Sequence, residues 1–359
     1  MKLKCHFVIP GSLNQISGGY LYDKHIIDQL KASDHEIIIH EIEGSFPIVE
    51  DHTKRSLITI VEKMPMNEIV IIDGLALIAS ERILQEFHDK IRFVGLIHHP
   101  LYMETGLSDK EREFLFDVES MLILRFKHLI TTSEYTKNEL HKLNVPDRLI
   151  SVVRPGIIRN RAGLLDKTKQ ELRKTKIVKL LCVASFIPRK GYWELIEALS
   201  QSKSGNWELT CIGGTDWNKE YFVQIQMKIK NSGLSSKIAI VGEVAYQKLR
   251  NYYLAADIFV LPSYYEGYGM VFGEALNFGI PIISTTGGAI PSVVPPNAGI
   301  LTEPGNINQL VTALSSLIDN PEQRKLLSRG ALNEAKLLPT WKQSGAEFER
   351  ILLRLSLSK

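Results

Sequence analysis

The sequence has no apolar run long enough to cross a membrane, and it carries little net charge. Its longest apolar stretch, residues 69–79, is interrupted by Asp73 and is shorter than the ~20 residues that a spanning helix needs. The first apolar stretch stops at Pro10 and Gly11, too early for a secretory signal. The formal net charge is only +3, and basic residues do not alternate with aromatic ones. We therefore expect no nucleic-acid partner.

Cysteine is also scarce. The three cysteines, Cys5, Cys182 and Cys211, are far apart and lie in apolar runs. An odd number at such spacing implies no disulfide framework and is typical of buried thiols in a reducing compartment. We therefore expect a cytoplasmic protein.

One local excess of positive charge runs from Arg154 to Lys190. It contains nine further basic residues: Arg159, Arg161, Lys167, Lys169, Arg173, Lys174, Lys176, Lys179 and Arg189. A solvated linker face is one interpretation. Attraction to an anionic substrate or to the anionic inner face of a membrane is the other.

Short apolar runs alternate with longer amphipathic stretches along the whole chain. CHFVIP, EIVIIDG and HLITTS are strand-like runs of the first half, and VKLLCVASF, KIAIVGEV and PIISTTGG are strand-like runs of the second. This alternation predicts parallel sheets covered by helices on both faces. Since 359 residues exceed what one core usually serves, we expect two doubly wound, Rossmann-like α/β domains.

The domain boundary is predicted at Pro155 and Gly156, where a turn precedes the basic stretch. The predicted domains are residues 1–156 and 157–340, and a last amphipathic helix within 341–359 is expected to pack back on the first domain. Ligands of such sheets bind beyond the carboxyl ends of the strands. We therefore expect a ligand cleft between the two domains.

Two glutamates, Glu266 and Glu274, flank a glycine-rich segment in DIFVLPSYYEGYGMVFGEALNFG, residues 257–279. Glu266 follows a predicted strand, and Glu274 lies in the helix after it, about 10 Å further along by helix rise. Carboxylates accept paired hydrogen bonds from vicinal hydroxyls, so the pair suits the sugar and the ribose of a nucleoside diphosphate sugar. The alternative is that Glu266 caps its own helix and Glu274 faces solvent.

Other strand ends carry further candidates. Arg189 and Lys190 follow VKLLCVASF, where two cations suit a diphosphate, although an ordinary charged loop would look the same. Gly18 and Gly19 follow the first strand, where they form a plain turn or let the backbone approach a phosphate closely.

The histidine pair His98 and His99 ends another strand-like run. Neighbouring strand residues point to opposite faces and no third ligand is evident, so a metal site is not expected. A structural histidine and a histidine that faces the ligand stay open. No Asp-x-Asp metal motif is evident either, so we expect no metal and no cofactor.

The segment around Glu266 and Glu274 resembles the E-x7-E signature of retaining glycosyltransferases of the GT-B fold, glycosyltransferase family 4 (glycosyl transferases group 1). The match extends back into LRNYYLAADIFVLPS and forward into ALNFGIPIISTTGGAIPSVV, and IPRKGYWELIEAL resembles the family's Arg-x-Lys-Gly region. The resemblance is dense from Lys179 to about Glu303 and thin before Val153. RPGI at 154–157 lacks the Asn and Asp that are usual in the family.

The resemblance implies a role for each candidate. Glu274 would bind the ribose and Glu266 the donor sugar, while Arg189 and Lys190 neutralise the diphosphate and His98, rather than His99, lies near the transferred sugar. The catalytic set would be His98, Arg189, Lys190 and Glu266. The remaining donor-binding positions would be Gly18, Gly19, Val244, Gly267, Tyr268, Gly269, Met270 and Val271.

The function that the resemblance implies is transfer of a sugar from a nucleoside diphosphate donor to an acceptor hydroxyl, with retained anomeric configuration. The acceptor is a glycan, a lipid or a small molecule. A nucleotide-sugar epimerase of the same fold and a non-catalytic nucleotide-sugar-binding partner protein are the alternatives. A Rossmann dehydrogenase fits poorly, because no G-x-G-x-x-G follows the first strand.

Overall fold

The computed structural model describes residues 2–104, 106–159 and 177–357. The chain divides into two compact units. Unit 1 is Met1–Gly156 with Pro339–Lys359, and unit 2 is Ile157–Leu338. Most of the basic stretch between Arg154 and Lys190 lies outside the described residues. Over the residues that are described, no helix combines the length and the apolar character needed to span a bilayer.

Unit 1 is built on a six-stranded sheet whose strands pair in parallel. The strands are β1 (Lys4–Pro10), β2 (Glu36–Ile42), β3 (Ile69–Asp73), β4 (Arg92–Ile97), β5 (His128–Thr131) and β6 (Ile150–Val152). Their order in the sheet is β2-β1-β3-β4-β5-β6. The central strand β3 is buried along its whole length, as expected for a parallel strand with helices on both faces.

The helices of unit 1 connect these strands. They are α1 (Gly18–Ala32), α2 (Asp51–Glu62), α3 (Glu81–Glu86), α4 (Asp109–Ile123) and α5 (Glu134–Lys142). Two begin with hydrogen-bonded serine caps: Ser108 forms a capping box with Glu111, and the Ser133 hydroxyl accepts from the Thr136 N–H. Gly18 and Gly19 begin α1 instead of forming a turn before it, so the plain-turn alternative is wrong.

Unit 2 repeats the same design. Its strands are β7 (Val178–Val183), β8 (Trp207–Ile212), β9 (Ile238–Gly242), β10 (Ile258–Val260), β11 (Ile282–Thr285) and β12 (Gly299–Thr302), in the order β12-β11-β10-β7-β8-β9. Its helices are α6 (Tyr192–Gln201), α7 (Lys219–Asn231), α8 (Tyr246–Ala255), α9 (Met270–Asn277), α10 (Ile290–Val293), α11 (Ile307–Asp319) and α12 (Pro321–Ala335). The described strands of both units are parallel, which confirms the α/β prediction.

The last helix, α13 (Trp341–Leu357), belongs to unit 1 and packs against α1. The Phe348 ring stacks on Phe7 of β1 with ring centroids 6.3 Å apart. Trp341 stacks on His25 with centroids 4.2 Å apart. These aromatic contacts attach the end of the chain to β1 and α1 of unit 1.

Candidate functional site

A tight turn after β7 presents Arg189 and Lys190. The turn is a single 3-10 turn, Pro188–Lys190, and Gly191 follows it with φ 70° at the start of α6. A side chain at Gly191 would lie 2.2 Å from the Pro262 carbonyl oxygen. The close approach of these two backbones requires glycine, and it brings the cations beside the residues that follow β10.

Glu266 lies in the loop after β10, where it contacts both cations. Its carboxylate accepts from Lys190 Nζ at 2.7 Å and from the Ser263 hydroxyl at 2.6 Å, and it lies 3.5 Å from Arg189 Nη1. The residue is only 6% exposed. The structure thus joins three of the four predicted catalytic residues in one cluster, and it adds Ser263, which sequence reasoning missed.

The charges in this cluster stabilise one another. Burial alone would raise the pKa of Glu266, but Lys190 and Arg189 outweigh burial and hold the pKa below its ordinary value. The carboxylate is therefore ionised at neutral pH, and the three groups together carry a net charge of +1. Such a cluster can receive an anion while the carboxylate remains a hydrogen-bond acceptor for hydroxyls.

The backbone of Glu266 is fixed from the opposite side. Its carbonyl oxygen accepts from the Ala289 N–H at 2.8 Å, in the loop that follows β11. Glu266 does not cap its own helix, because the N-cap residue of α9 is Gly269, with φ 82° and no side-chain cap. This excludes the capping alternative.

The residues between the two glutamates form the start of α9. Gly267, Tyr268 and Gly269 precede the helix, and Met270 and Val271 are its first residues. The first N–H groups of any helix have no intrahelical acceptor, so the amides of Met270 and Val271 are suited to bind an anion. The Tyr268 side chain instead packs in the core of unit 2.

Glu274 lies inside α9, and it is half-buried rather than fully exposed to solvent. The hydroxyl of Tyr253 on α8 donates to its Oε2 at 2.7 Å. Burial raises the pKa of Glu274 to about 7, although the Tyr253 hydrogen bond acts in the opposite direction. The carboxylate therefore changes charge near neutral pH. The sequence did not predict this role of Tyr253, because a tyrosine in an amphipathic helix is typical of an ordinary core residue.

Val244 lies in the loop after β9 and packs, partly buried, against the core of unit 2. This apolar surface would suit a flat ring system better than a charged group. Its assignment to the nucleobase stays a prediction.

A second charged cluster lies in unit 1, around His98. His98 directly follows β4, Asp73 ends β3, and Asp23 is on α1. His98 Nε2 is 3.0 Å from Asp23 Oδ1 and 3.5 Å from Asp73 Oδ2. His99 points elsewhere and pairs with Glu104 at 3.1 Å. The structure therefore separates the two neighbouring histidines into different environments.

Gly19 lies directly against His98. A side chain at Gly19 would come within 3.2 Å of the ring carbon Cδ2, so the ring fills the space that a larger residue would need. At Gly18, by contrast, an added side chain would meet nothing within 4 Å. The two predicted glycines therefore differ: Gly19 packs against His98, and Gly18 has open space beside it.

Asp23, Asp73 and His98 each offer one potential ligand atom for a metal ion, and these atoms lie within 4.8 Å of one another. Sequence reasoning found no third ligand for His98 and missed both carboxylates. Asp23 lies in an amphipathic helix and Asp73 at the end of an apolar run, far apart along the chain. Only the sheet order brings them together.

Comparison with known proteins extends this description. Residues 166–333 match the family model for glycosyl transferases group 1, so the match covers most of unit 2. A GDP-mannose-dependent monoacylated α-(1-6)-phosphatidylinositol monomannoside mannosyltransferase of Corynebacterium glutamicum is 26% identical over 48% of this chain and 46% of the relative. O-antigen chain mannosyltransferase B of Escherichia coli is 24% identical over 71% of this chain and 66% of the relative. The matched segments thus span less than two thirds of either relative.

Solved structures match the whole chain. Sucrose-phosphate synthase from Thermosynechococcus elongatus superposes with a TM-score of 0.83 at 18% identity, covering 99% of both chains. Anabaena HepE in complex with UDP-glucose superposes with a TM-score of 0.78 at 16% identity, covering 98% of this chain and 100% of the other. The fold of this chain is therefore the GT-B fold of these proteins.

Proposed function

We propose that this protein is a retaining glycosyltransferase that moves a sugar from a nucleoside diphosphate sugar to an acceptor hydroxyl. The observation that carries the proposal is the buried cluster of Arg189, Lys190 and Glu266 at the carboxyl ends of β7 and β10. It lies within the region that matches glycosyl transferases group 1. The two mannosyltransferases and the neighbour solved with UDP-glucose support a nucleotide-sugar donor.

The reaction breaks the bond between the anomeric carbon and the diphosphate oxygen, and it forms a bond from the acceptor oxygen to the same carbon. Negative charge develops on the departing diphosphate. Lys190 and Arg189 stabilise that charge electrostatically, and the amides that begin α9 supply hydrogen bonds to it. The acceptor proton leaves with a diphosphate oxygen, so no separate base is required. This neutralisation uses side chains of the chain itself and needs no metal.

Glu266 binds the donor sugar in this proposal. Its pKa is held low, so it stays a carboxylate that accepts hydrogen bonds from sugar hydroxyls. Glu274 accepts from the ribose hydroxyls, and Val244 contacts the base. The assignment of His98 to the transferred sugar stays a prediction. We also propose a cytoplasmic location, with contact to an anionic membrane surface if the acceptor is a lipid.

A thermal-shift panel tests donor binding. GDP, UDP, ADP, GDP-mannose and UDP-glucose are added to the full chain, and a bound ligand raises the melting temperature by mass action. At 100 times its Kd a ligand adds about 2.7 kcal/mol. We expect at least one nucleoside diphosphate and its sugar to stabilise the protein, and no shift by any of the five would contradict the proposal.

Transfer is tested by incubating the stabilising donor with a panel of sugar, glycan and lipid acceptors. NMR of the product reads the anomeric configuration directly, and retention is expected. The same donor without an acceptor is the control. A new sugar epimer in that control would show an epimerase, and an inverted product would overturn the retaining assignment. Activity that persists in EDTA is expected, because the proposal assigns no step to a metal.

A further inference from the structure

Glu243 carries a carboxylate that the site described so far does not use. It directly follows β9, which ends at Gly242, and it is exposed. No hydrogen bond or ion pair joins its side chain to another described residue. Exposed glutamates are common on protein surfaces, so the surroundings of this one decide whether it has a function.

The Glu243 side chain meets a tryptophan from the neighbouring loop. A side chain at Gly214, in the loop after β8, would lie 2.6 Å from Glu243 Oε1 and 2.7 Å from Trp217 Cδ1. The carboxylate and the indole ring therefore converge on the same glycine. Trp217 is 48% exposed, so a large aromatic ring lies open to solvent beside an unpaired carboxylate.

Backbone hydrogen bonds hold these loops at the ligand-binding end of unit 2. The Gly213 N–H donates to the Gly242 carbonyl oxygen at 3.0 Å, and the Phe186 N–H donates to the Gly214 carbonyl oxygen at 2.8 Å. The strands β7, β8 and β9 are neighbours in the sheet, and the loops follow their carboxyl ends. Ligands of parallel sheets bind at these ends.

The segment that contains Glu243 also leads to the carboxylate proposed to bind the ribose. Glu243 and Val244 precede α8, which begins at Tyr246. Tyr253 lies about 10 Å further along this helix by helix rise, and its hydroxyl donates to Glu274 Oε2. A base whose ribose is bound at Glu274 extends toward the start of α8, where Glu243 lies.

We propose that Glu243 selects guanine, so that the donor is a GDP-sugar. Guanine presents two adjacent donors on one edge, the N1–H and the 2-amino group. A carboxylate has two acceptor oxygens and no donor, so it pairs with both at once. The inference rests on the proposed function, because it names the base of the donor proposed there.

The other common bases fit this carboxylate less well. Uracil presents one N–H between two carbonyl oxygens, and adenine presents one amino group beside a ring nitrogen that accepts. Either base would set an acceptor against an acceptor of Glu243. A site built to bind a substrate N–H rejects the analogue that lacks it, because the partner group is left unpaired.

Trp217 has a different role in this arrangement. Its ring stacks on the base, and stacking depends little on which base is bound, because every base has a π face. Trp217 therefore contributes affinity for any nucleotide, whereas Glu243 contributes the preference for guanine. Variants of the two residues should behave differently for this reason.

Calorimetric titration of the full chain with GDP, IDP, UDP and ADP measures the preference. Inosine diphosphate, IDP, is the sharpest probe, because its base keeps the N1–H of guanine and lacks the 2-amino group. We expect GDP to bind about tenfold or more tightly than each of the other three, the scale of one hydrogen bond to a charged group.

The same titration separates this inference from the proposed function. Binding of IDP, UDP or ADP that is as tight as binding of GDP would overturn guanine selection and leave the proposed function intact. If none of the four nucleotides binds, both are overturned.

The variant Glu243→Gln tests the assigned residue. Glutamine offers one acceptor and one donor, so GDP affinity should fall about tenfold, while UDP affinity should stay the same or rise. Glu208→Gln is the matched control, because Glu208 is an exposed glutamate near the amino end of β8, and it should change none of the four affinities. A Glu243→Gln chain that keeps the full preference for GDP would overturn the assignment.

Trp217→Ala completes the comparison. It should weaken GDP and UDP by a similar factor of about ten, because stacking is lost for both bases. Melting of each variant without ligand checks that the fold is intact, which we expect because both side chains are exposed. A Trp217→Ala chain that binds GDP as tightly as the wild type would place the base away from this loop and overturn the inference.

Discussion

The two units carry charged clusters of opposite design. In unit 2, one buried carboxylate, Glu266, is held between two cations. In unit 1, one histidine, His98, is held between two acids. All ten histidines lie at or before residue 141, so none falls in unit 2. The comparison teaches that the two units differ in the groups that can titrate near neutral pH: unit 1 holds all the histidines, whereas unit 2 holds Glu274, whose pKa burial raises to about 7.

The largest effect is expected from the cations of unit 2. Lys190→Ala should lower turnover by about 100-fold or more, because one charge-stabilising donor to the leaving group is lost. Steady-state kinetics with the stabilising donor measures the change. Lys228→Ala is the matched control, because Lys228 is also paired with a glutamate, Glu197, but away from Glu266. A similar loss of turnover in both variants would contradict the assignment of leaving-group stabilisation to Lys190.

Glu266→Ala and Glu274→Ala should separate the two halves of the donor. Removing Glu266 leaves the two cations without their buried carboxylate partner, so free nucleoside diphosphate should bind at least as well as before. Use of the nucleotide sugar should fall by about tenfold or more, since hydroxyl contacts are lost. Glu274→Ala should weaken the binding of both the free nucleoside diphosphate and the nucleotide sugar. Calorimetric titration with each ligand measures this, and equal losses in both variants would contradict the division.

Nucleotide affinity should depend on pH through Glu274. Its pKa is raised to about 7, so the carboxylate is mostly protonated at pH 6 and mostly ionised at pH 8. Because the ionised form accepts two hydrogen bonds from ribose hydroxyls, affinity should rise about tenfold between these values. Glu274→Gln should remove this part of the pH dependence, while the ligand's own ionisation remains. An unchanged profile in the variant would exclude the assignment.

The smallest expected effect is on the acid stability of unit 1. His6 Nδ1 lies 2.9 Å from His40 Nε2, and burial lowers the pKa of both residues. A histidine with a lowered folded pKa stabilises the fold above its unfolded pKa of about 6.5 and loses that contribution as the pH falls. The contribution of this histidine pair to the free energy of unfolding should therefore decrease from pH 7.5 to pH 5.

Urea unfolding of His40→Gln tests this directly. The variant should lessen the decrease by about 1 kcal/mol, the scale of one hydrogen bond. His52→Gln is the control, because the His52 side chain is 61% exposed. An identical acid response of the wild type and His40→Gln would show that the histidine pair does not contribute.

The α/β fold and the unit 2 cluster were predictable from the sequence, because their signals are local. Each strand is a short apolar run, and Arg189, Lys190 and Glu266 each follow such a run in a loop. The carboxyl ends of neighbouring parallel strands meet at one edge of a sheet, so these loops had to converge. The order β10-β7 places them side by side.

The unit 1 cluster was not predictable in this way. Asp23, Asp73 and His98 come from a helix, a strand end and a loop that are separated by up to 75 residues. No short pattern joins them, and Asp73 looks like an interruption of an apolar run. Likewise, the sequence did not predict that α1 begins at Gly18, because a pair of glycines is equally compatible with a turn.

The most direct test of the central claim is a 31P NMR titration of a nucleoside diphosphate with the full chain. If Arg189 and Lys190 bind the diphosphate, the wild type should shift and broaden both phosphorus signals. Lys190→Ala should largely lose this effect, and Lys228→Ala should keep it. Phosphorus signals that the wild type leaves unchanged, or that Lys190→Ala changes as strongly as the wild type does, would contradict the account.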